Sequence, residues 1–213
     1  MGLFFRRITK KMRPVAIALG VCTLASLISA SFVDFSTTPT SEIVPRRGAF
    51  SIWGLIYTLL GASAIVLAST RAAPASILPH VLACVALGIT CIWSATVTRF
   101  RRVATLSLAA SALTAWASLY GVRDNVLYSA AYGLLAGWLS VATTISTGTD
   151  DTRALVAAST IVGCASVGLS TPWPSLALLW GLVCQRVIDR AVVGSIALTL
   201  VAVVGSVLRR YVT

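Results

Sequence analysis

Pro45-Arg46-Arg47-Gly48-Ala49-Phe50-Ser51-Ile52-Trp53-Gly54-Leu55-Ile56-Tyr57 joins a Pro/Arg-bearing loop to an apolar segment with three aromatics. Helical spacings of three and four put Phe50, Trp53 and Tyr57 within about 60° of one another around the axis. Gly54 and Gly61 fall near the same side and leave room for a neighbouring helix or a flat ligand. Spacing alone fits an interfacial aromatic belt with small-residue packing, which is common in membrane helices. What the other segments bring to the same depth decides between a belt and a site.

The frame for that decision is a membrane. Of 213 residues, 57% are hydrophobic and 11% charged, and the mean hydropathy is +0.91. A soluble domain of this length could not cover its surface with so few polar groups. Apolar runs of about 20 residues recur, as a hydrocarbon core of about 30 Å demands of helices. The strict alternation of barrel strands is missing. The fold class is therefore all-α, a polytopic transmembrane bundle, and the lipid bilayer is its first partner.

The net charge of +11 does not point to nucleic acid. The basic residues sit in short termini and turns, where Lys and Arg fix topology and meet anionic headgroups. Cys22, Cys84, Cys91, Cys164 and Cys184 all fall inside apolar segments without a CxxC, and His80 stands alone. They read as small core residues, with no disulfide and no metal site.

Eight helices are expected, over about 15–33, 49–68, 77–98, 103–120, 126–146, 154–169, 175–188 and 191–208. The sixth and seventh are short. Residues 1–14 form a basic N-terminal segment, 15–146 a core and 147–213 a C-terminal extension, with Asp34 to Arg47 as the longest loop. The basic start, apolar run and small residues around Ala30 also fit a cleaved signal peptide or an organellar address. A retained first helix is the reading adopted. Gly2 lacks the Ser or Thr that myristoylation needs, since Arg6 stands there. Five basic residues before the first helix favour an inside N-terminus, and Arg99, Arg101 and Arg102 oppose it. The multi-pass location is clear; which membrane is left open.

Alternating helix directions bring the start of the second helix and the ends of the third and fifth to one face. At 1.5 Å per residue Trp53, Trp93 and Trp138 lie about 6, 8 and 12 Å below it. Three tryptophans from three helices can line one cavity under the long loop, with Tyr57 and Tyr132 as its deeper wall. Trp138 is too deep for a headgroup belt; Trp116 and Trp173, at the opposite face, read as belt residues. An aromatic, mostly apolar pocket suits a flat hydrophobic ligand such as a sterol or tetrapyrrole. Gly133 and Gly137 form a GxxxG spacing, which indicates close helix packing and, less directly, a homodimer. Arg123, Tyr128 and Leu134 match the loose cholesterol-contact pattern.

The order of residues from Pro45 to Tyr57 resembles the loop-to-helix motif of the TspO/MBR family, the tryptophan-rich sensory proteins related to the mitochondrial translocator protein. The resemblance is closest to a longer, divergent branch. Cys91-Ile92-Trp93-Ser94 is similar to that family's third-helix Trp-Ser pair, and Ala131 to Ala142 to its fifth-helix Tyr/Trp stretch. The chain departs from the family in its single Pro45 followed by two arginines. Thr90 and Ser146 stand where asparagines are usual, and the last three helices have no counterpart in five-helix members. The resemblance implies a five-helix bundle binding porphyrins, haem, sterols or related molecules beneath the first loop. The expected ligand residues are Phe50, Trp53, Tyr57, Trp93, Tyr132 and Trp138.

Two other classes are weighed. A secondary transporter would place ionisable residues or broken helices near the midplane, and Arg186 with Asp189 three residues on is the nearest case. An enzyme would need acids, His or Cys brought together. All six acids (Asp34, Glu42, Asp124, Asp150, Asp151, Asp189) map to turns or helix ends. No catalytic residue and no required cofactor is expected.

Overall fold

A computed structural model describes residues 2–31, 47–69, 76–147, 152–185 and 190–212. Its regular structure is helical: α1 (Gly2–Ser31), a 3-10 turn (Arg47–Ser51), α2 (Ile52–Ser69), α3 (Leu78–Thr96), α4 (Arg101–Tyr120), α5 (Val126–Ser146), α6 (Thr152–Gly168), α7 (Trp173–Val183) and α8 (Arg190–Val212). Among the described residues six spans are long and apolar enough to cross a bilayer; α6 and α7 are shorter. The protein is an integral, multi-pass helical bundle.

Boundaries move where local chemistry overrides hydropathy. α1 starts at Gly2 and runs through Pro14, so the basic segment is helical; Met12 and Ala16 bury against Leu67 at the end of α2. The second helix begins as the 3-10 turn carrying Phe50 and becomes α-helical at Ile52. α7 starts two residues earlier than expected because Pro172 serves as its N-cap, with a proline in its first two positions. That matches the preference of Pro for a first turn. α5 is capped by Asn125, whose Oδ1 accepts from the Tyr128 N–H at 3.1 Å. The long loop before Arg47, and Arg186 with Asp189, lie outside the described residues.

Packing orders the helices simply. α1, α2, α5, α4 and α3 form a ring in which each touches the next and α3 returns to α1. α6, α7 and α8 pack on one another, and α7 and α6 lie on the outer side of α5. α5 is thus covered on both sides, and every residue from Tyr128 to Leu139 is buried, as a helix apolar all round requires. Polar groups hold the ring where no water could. Ser111 Oγ donates to the Ala86 carbonyl at 2.7 Å and lies 2.9 Å from Thr90 Oγ1, tying α4 to α3. Arg101 Nε and Thr105 Oγ1 both donate to the Ser146 carbonyl, tying α4 to the end of α5.

α7 is only 11 residues long, about 16 Å against a core of about 30 Å. It lies along the C-terminal half of α5. A Cβ on Gly137 would stand 2.2 Å from the Pro174 carbonyl oxygen, and one on Gly133 2.6 Å from Trp173 Cβ. On the facing side a Cβ on Gly181 would stand 3.0 Å from Val141 and 3.5 Å from the Trp138 ring. α7 therefore begins about 10 Å below the start of α5, since Trp173 faces Gly133, seven residues on from Val126. In the half-buried turn before it Thr171 is buried, with Oγ1 3.1 Å from Ser129 Oγ.

Candidate functional site

At the end of the ring where α2 begins, four aromatic rings meet. Trp53 stacks on Tyr57, one turn on, with centroids 5.2 Å apart and planes 17° apart. Trp138 crosses from α5 nearly perpendicular to Trp53 (6.4 Å, 85°) and to Phe50 (6.0 Å, 85°). Both arrangements are favoured by the ring quadrupoles. Tyr57 Oη lies 3.0 Å from Ser26 Oγ of α1, so three helices share the cluster. Trp138 is 2% exposed and faces the bundle rather than lipid.

Of the six residues expected from sequence, Phe50, Trp53, Tyr57 and Trp138 come together. Trp93 is buried in the same core, and its Nε1 has no hydrogen-bond partner. A buried N–H left unpaired costs about 1–3 kcal/mol, which makes Trp93 a donor in reserve. Tyr132 is drawn elsewhere. It lies 14 residues before Ser146, about 21 Å below the aromatic face, where α3 begins. There its hydroxyl sits 2.7 Å from His80 Nδ1, and His80 packs at 71° against Tyr128, 4.8 Å away. Depth, not residue type, keeps Tyr132 out of the aromatic cluster.

His80 was legible only as an isolated histidine. In the fold it is fully buried, joined to α5 by the Tyr132 hydroxyl, with Nε2 unpartnered. Tyr132→Phe leaves both ring nitrogens without a partner. We expect this substitution to lower stability by about 1–3 kcal/mol, measured by unfolding in detergent micelles. A loss below about 0.5 kcal/mol would mean that the bond contributes nothing beyond exchange with other partners.

The fourth tryptophan near the site comes from α7. Trp180 Nε1 donates to the Ala49 carbonyl at 2.9 Å, across 131 residues of sequence. Ala49 immediately precedes Phe50, so α7 is fastened to the turn that sets the Phe50 ring on Trp138. The sequence signal was slight, a Trp180-Gly181 pair in a short apolar helix. The GxxxG pair proves to be filled from within the chain: Gly133 and Gly137 receive the first turn of α7, so this seam is closed to a second copy.

Other expectations change for packing reasons. Trp116 turns inward and donates Nε1 to Ser140 Oγ at 3.2 Å; Trp173 lies against Gly133 with Nε1 buried. Neither is a simple belt residue. Tyr128 and Leu134 are buried, which removes the cholesterol-contact pattern from the lipid-facing surface. Thr90 and Ser146, standing where the family has asparagines, are committed to the α3–α4 and α4–α5 contacts already described. The five cysteines are free, and Cys164 is exposed rather than in the core. No group of three or more metal-binding side chains occurs among the described residues.

The family described as TSPO-like protein matches residues 15–149, the span of the five-helix ring. No curated protein and no solved structure matches the chain.

Proposed function

The chain belongs to the TSPO-like family, and from that premise we propose that it is a membrane receptor or translocator for hydrophobic small molecules. The ligands would be flat and mostly apolar, porphyrins or sterols or molecules like them, held in the aromatic site at the start of α2. The observation that carries this reading is Trp138, a buried indole in the C-terminal half of α5 that meets Phe50 and Trp53 face to edge. Aromatic faces around a flat body, with a few polar groups for orientation, are the usual make-up of such sites.

The residues present suit a porphyrin. Trp53, Tyr57 and Trp138 offer ring faces, the buried Trp93 N–H offers a donor to a carbonyl or carboxylate, and Arg46 and Arg47 adjoin the mouth in sequence. A porphyrin would bring light absorption and, if metallated, redox chemistry; the side chains named here bind and orient. The reading is of a binder and not a catalyst; Asp124, the acid among the described residues, lies in the exposed turn between α4 and α5. Loss of the ligand over time, as opposed to its capture, is the measurement that separates the two.

Titration of the purified protein with protoporphyrin is expected to quench tryptophan fluorescence saturably. Trp53→Ala combined with Trp93→Ala is expected to weaken binding about 10-fold or more, two aromatic contacts at about 0.5–1.5 kcal/mol each. Quenching that never saturates, or that the double variant leaves unchanged, would sink the reading.

One observation favours a second reading. α7 is only 11 residues long and starts about 10 Å below the start of α5, and short or discontinuous helices of that kind are common in secondary transporters. Ion-coupled uptake into proteoliposomes that is abolished by Arg186→Ala would reverse the order of the two.

A further inference from the structure

α7 lies outside the family match at residues 15–149, yet it reaches the aromatic site, and the way it does so is specific. α2 and α7 both pack on α5 without packing along one another. At the site they are joined by the Trp180 Nε1 bond to the Ala49 carbonyl. Trp180 is 43% exposed while Ala49 is fully buried, so the bond lies between the surface and the core. On its exposed side α2 carries Gly54, where a Cβ would meet nothing within 4 Å. Immediately behind the bond are Phe50 and Trp138.

We propose that Trp180 is a latch on a lateral passage between α2 and α7, through which a flat, lipid-soluble polycyclic molecule passes between the bilayer and the aromatic site. A single neutral hydrogen bond contributes about 1 kcal/mol. That is enough to keep the seam closed most of the time and little enough to open thermally. Releasing it frees the Ala49 carbonyl next to Phe50, so opening the seam removes one tie on the turn that carries the ring against Trp138. Access is thereby assigned to the C-terminal helices, which the five-helix ring alone does not supply.

The inference rests on the aromatic site being a ligand site in its kinetic arm alone; its structural arm is independent. Trp180→Phe keeps the ring and removes the N–H. In the ligand-free protein in nanodiscs, amide hydrogen exchange over residues 48–54 is expected to rise about 5-fold, the factor that about 1 kcal/mol gives. Protoporphyrin association and dissociation, followed by stopped-flow fluorescence, are both expected to accelerate about 5-fold with the Kd nearly unchanged. Exchange at the wild-type rate overturns the latch, as does faster exchange combined with unchanged association and dissociation. Should the wild-type protein bind no protoporphyrin, raised exchange still upholds the latch, and it is the ligand assignment that falls. Should Trp180→Phe fail to fold, exchange of the wild-type indole N–H decides: protection supports the latch and prompt exchange overturns it.

Discussion

Gly137→Ala is expected to dislodge α7 and to lower stability by about 3 kcal/mol or more, the upper range for overpacking a filled interior. The added methyl would stand 2.2 Å from a backbone oxygen and within 3 Å of two more backbone atoms of Pro174. Backbone cannot swing aside as a flexible side chain can. Gly133→Ala, facing Trp173 Cβ at 2.6 Å, should follow in the same direction with a smaller loss. Gly61→Ala is the internal standard, because nothing lies within 4 Å of its added carbon. In a helix that change should be neutral or stabilising by up to about 1 kcal/mol. Thermal unfolding in detergent, with limited proteolysis around α7, reads all three. Equal melting temperatures for Gly137→Ala and Gly61→Ala would mean that α7 is not seated on α5.

The second large effect falls on Trp138. Trp138→Ala is expected to cost roughly 3–5 kcal/mol, the range for deleting a buried aromatic, and to abolish saturable protoporphyrin quenching. Those two losses could share one cause, so Trp53→Ala is needed beside it. Trp53 is half-buried and stacks on Tyr57 from the same helix. Its removal should cost clearly less stability than Trp138→Ala while weakening binding about 2- to 10-fold. A ligand site predicts that binding falls in both variants while stability falls steeply in one. If binding follows melting temperature alone, the rings serve the core and not a ligand.

The fold class and five-helix core could be read from the chain because hydropathy in a bilayer is a strong constraint on segment length. The aromatic site was partly legible for the same reason. Helix direction and rise give depth, and depth brought Trp53 and Trp138 together correctly. The same arithmetic, carried to Tyr132, places it about 9 Å deeper than Tyr57, and the expectation passed over this. The His80–Tyr132 pair and the Trp180–Ala49 bond were not legible, since their partners are 52 and 131 residues apart. Nothing local distinguishes a histidine with a partner from one without. The GxxxG spacing was visible as a demand for close approach; its partner, a half-length helix from the same chain, depended on tertiary packing.

The short α7 has a consequence for how a helix can begin inside hydrocarbon. The opening residues of any helix carry backbone donors with no carbonyl to reach, and in lipid no water takes their place. In α7 the opening four are Pro172, Trp173, Pro174 and Ser175, and the first intrahelical bond runs from the Leu176 N–H to the Pro172 carbonyl. Proline has no N–H, so two of the four donors do not exist. The residue just before them, Thr171, gives its N–H to the Ser166 carbonyl at 3.0 Å. The pair of prolines that looks like punctuation in the sequence is thus a deletion of unmet valence. It lets the chain start a helix inside the bundle with half the usual inventory of groups asking for water.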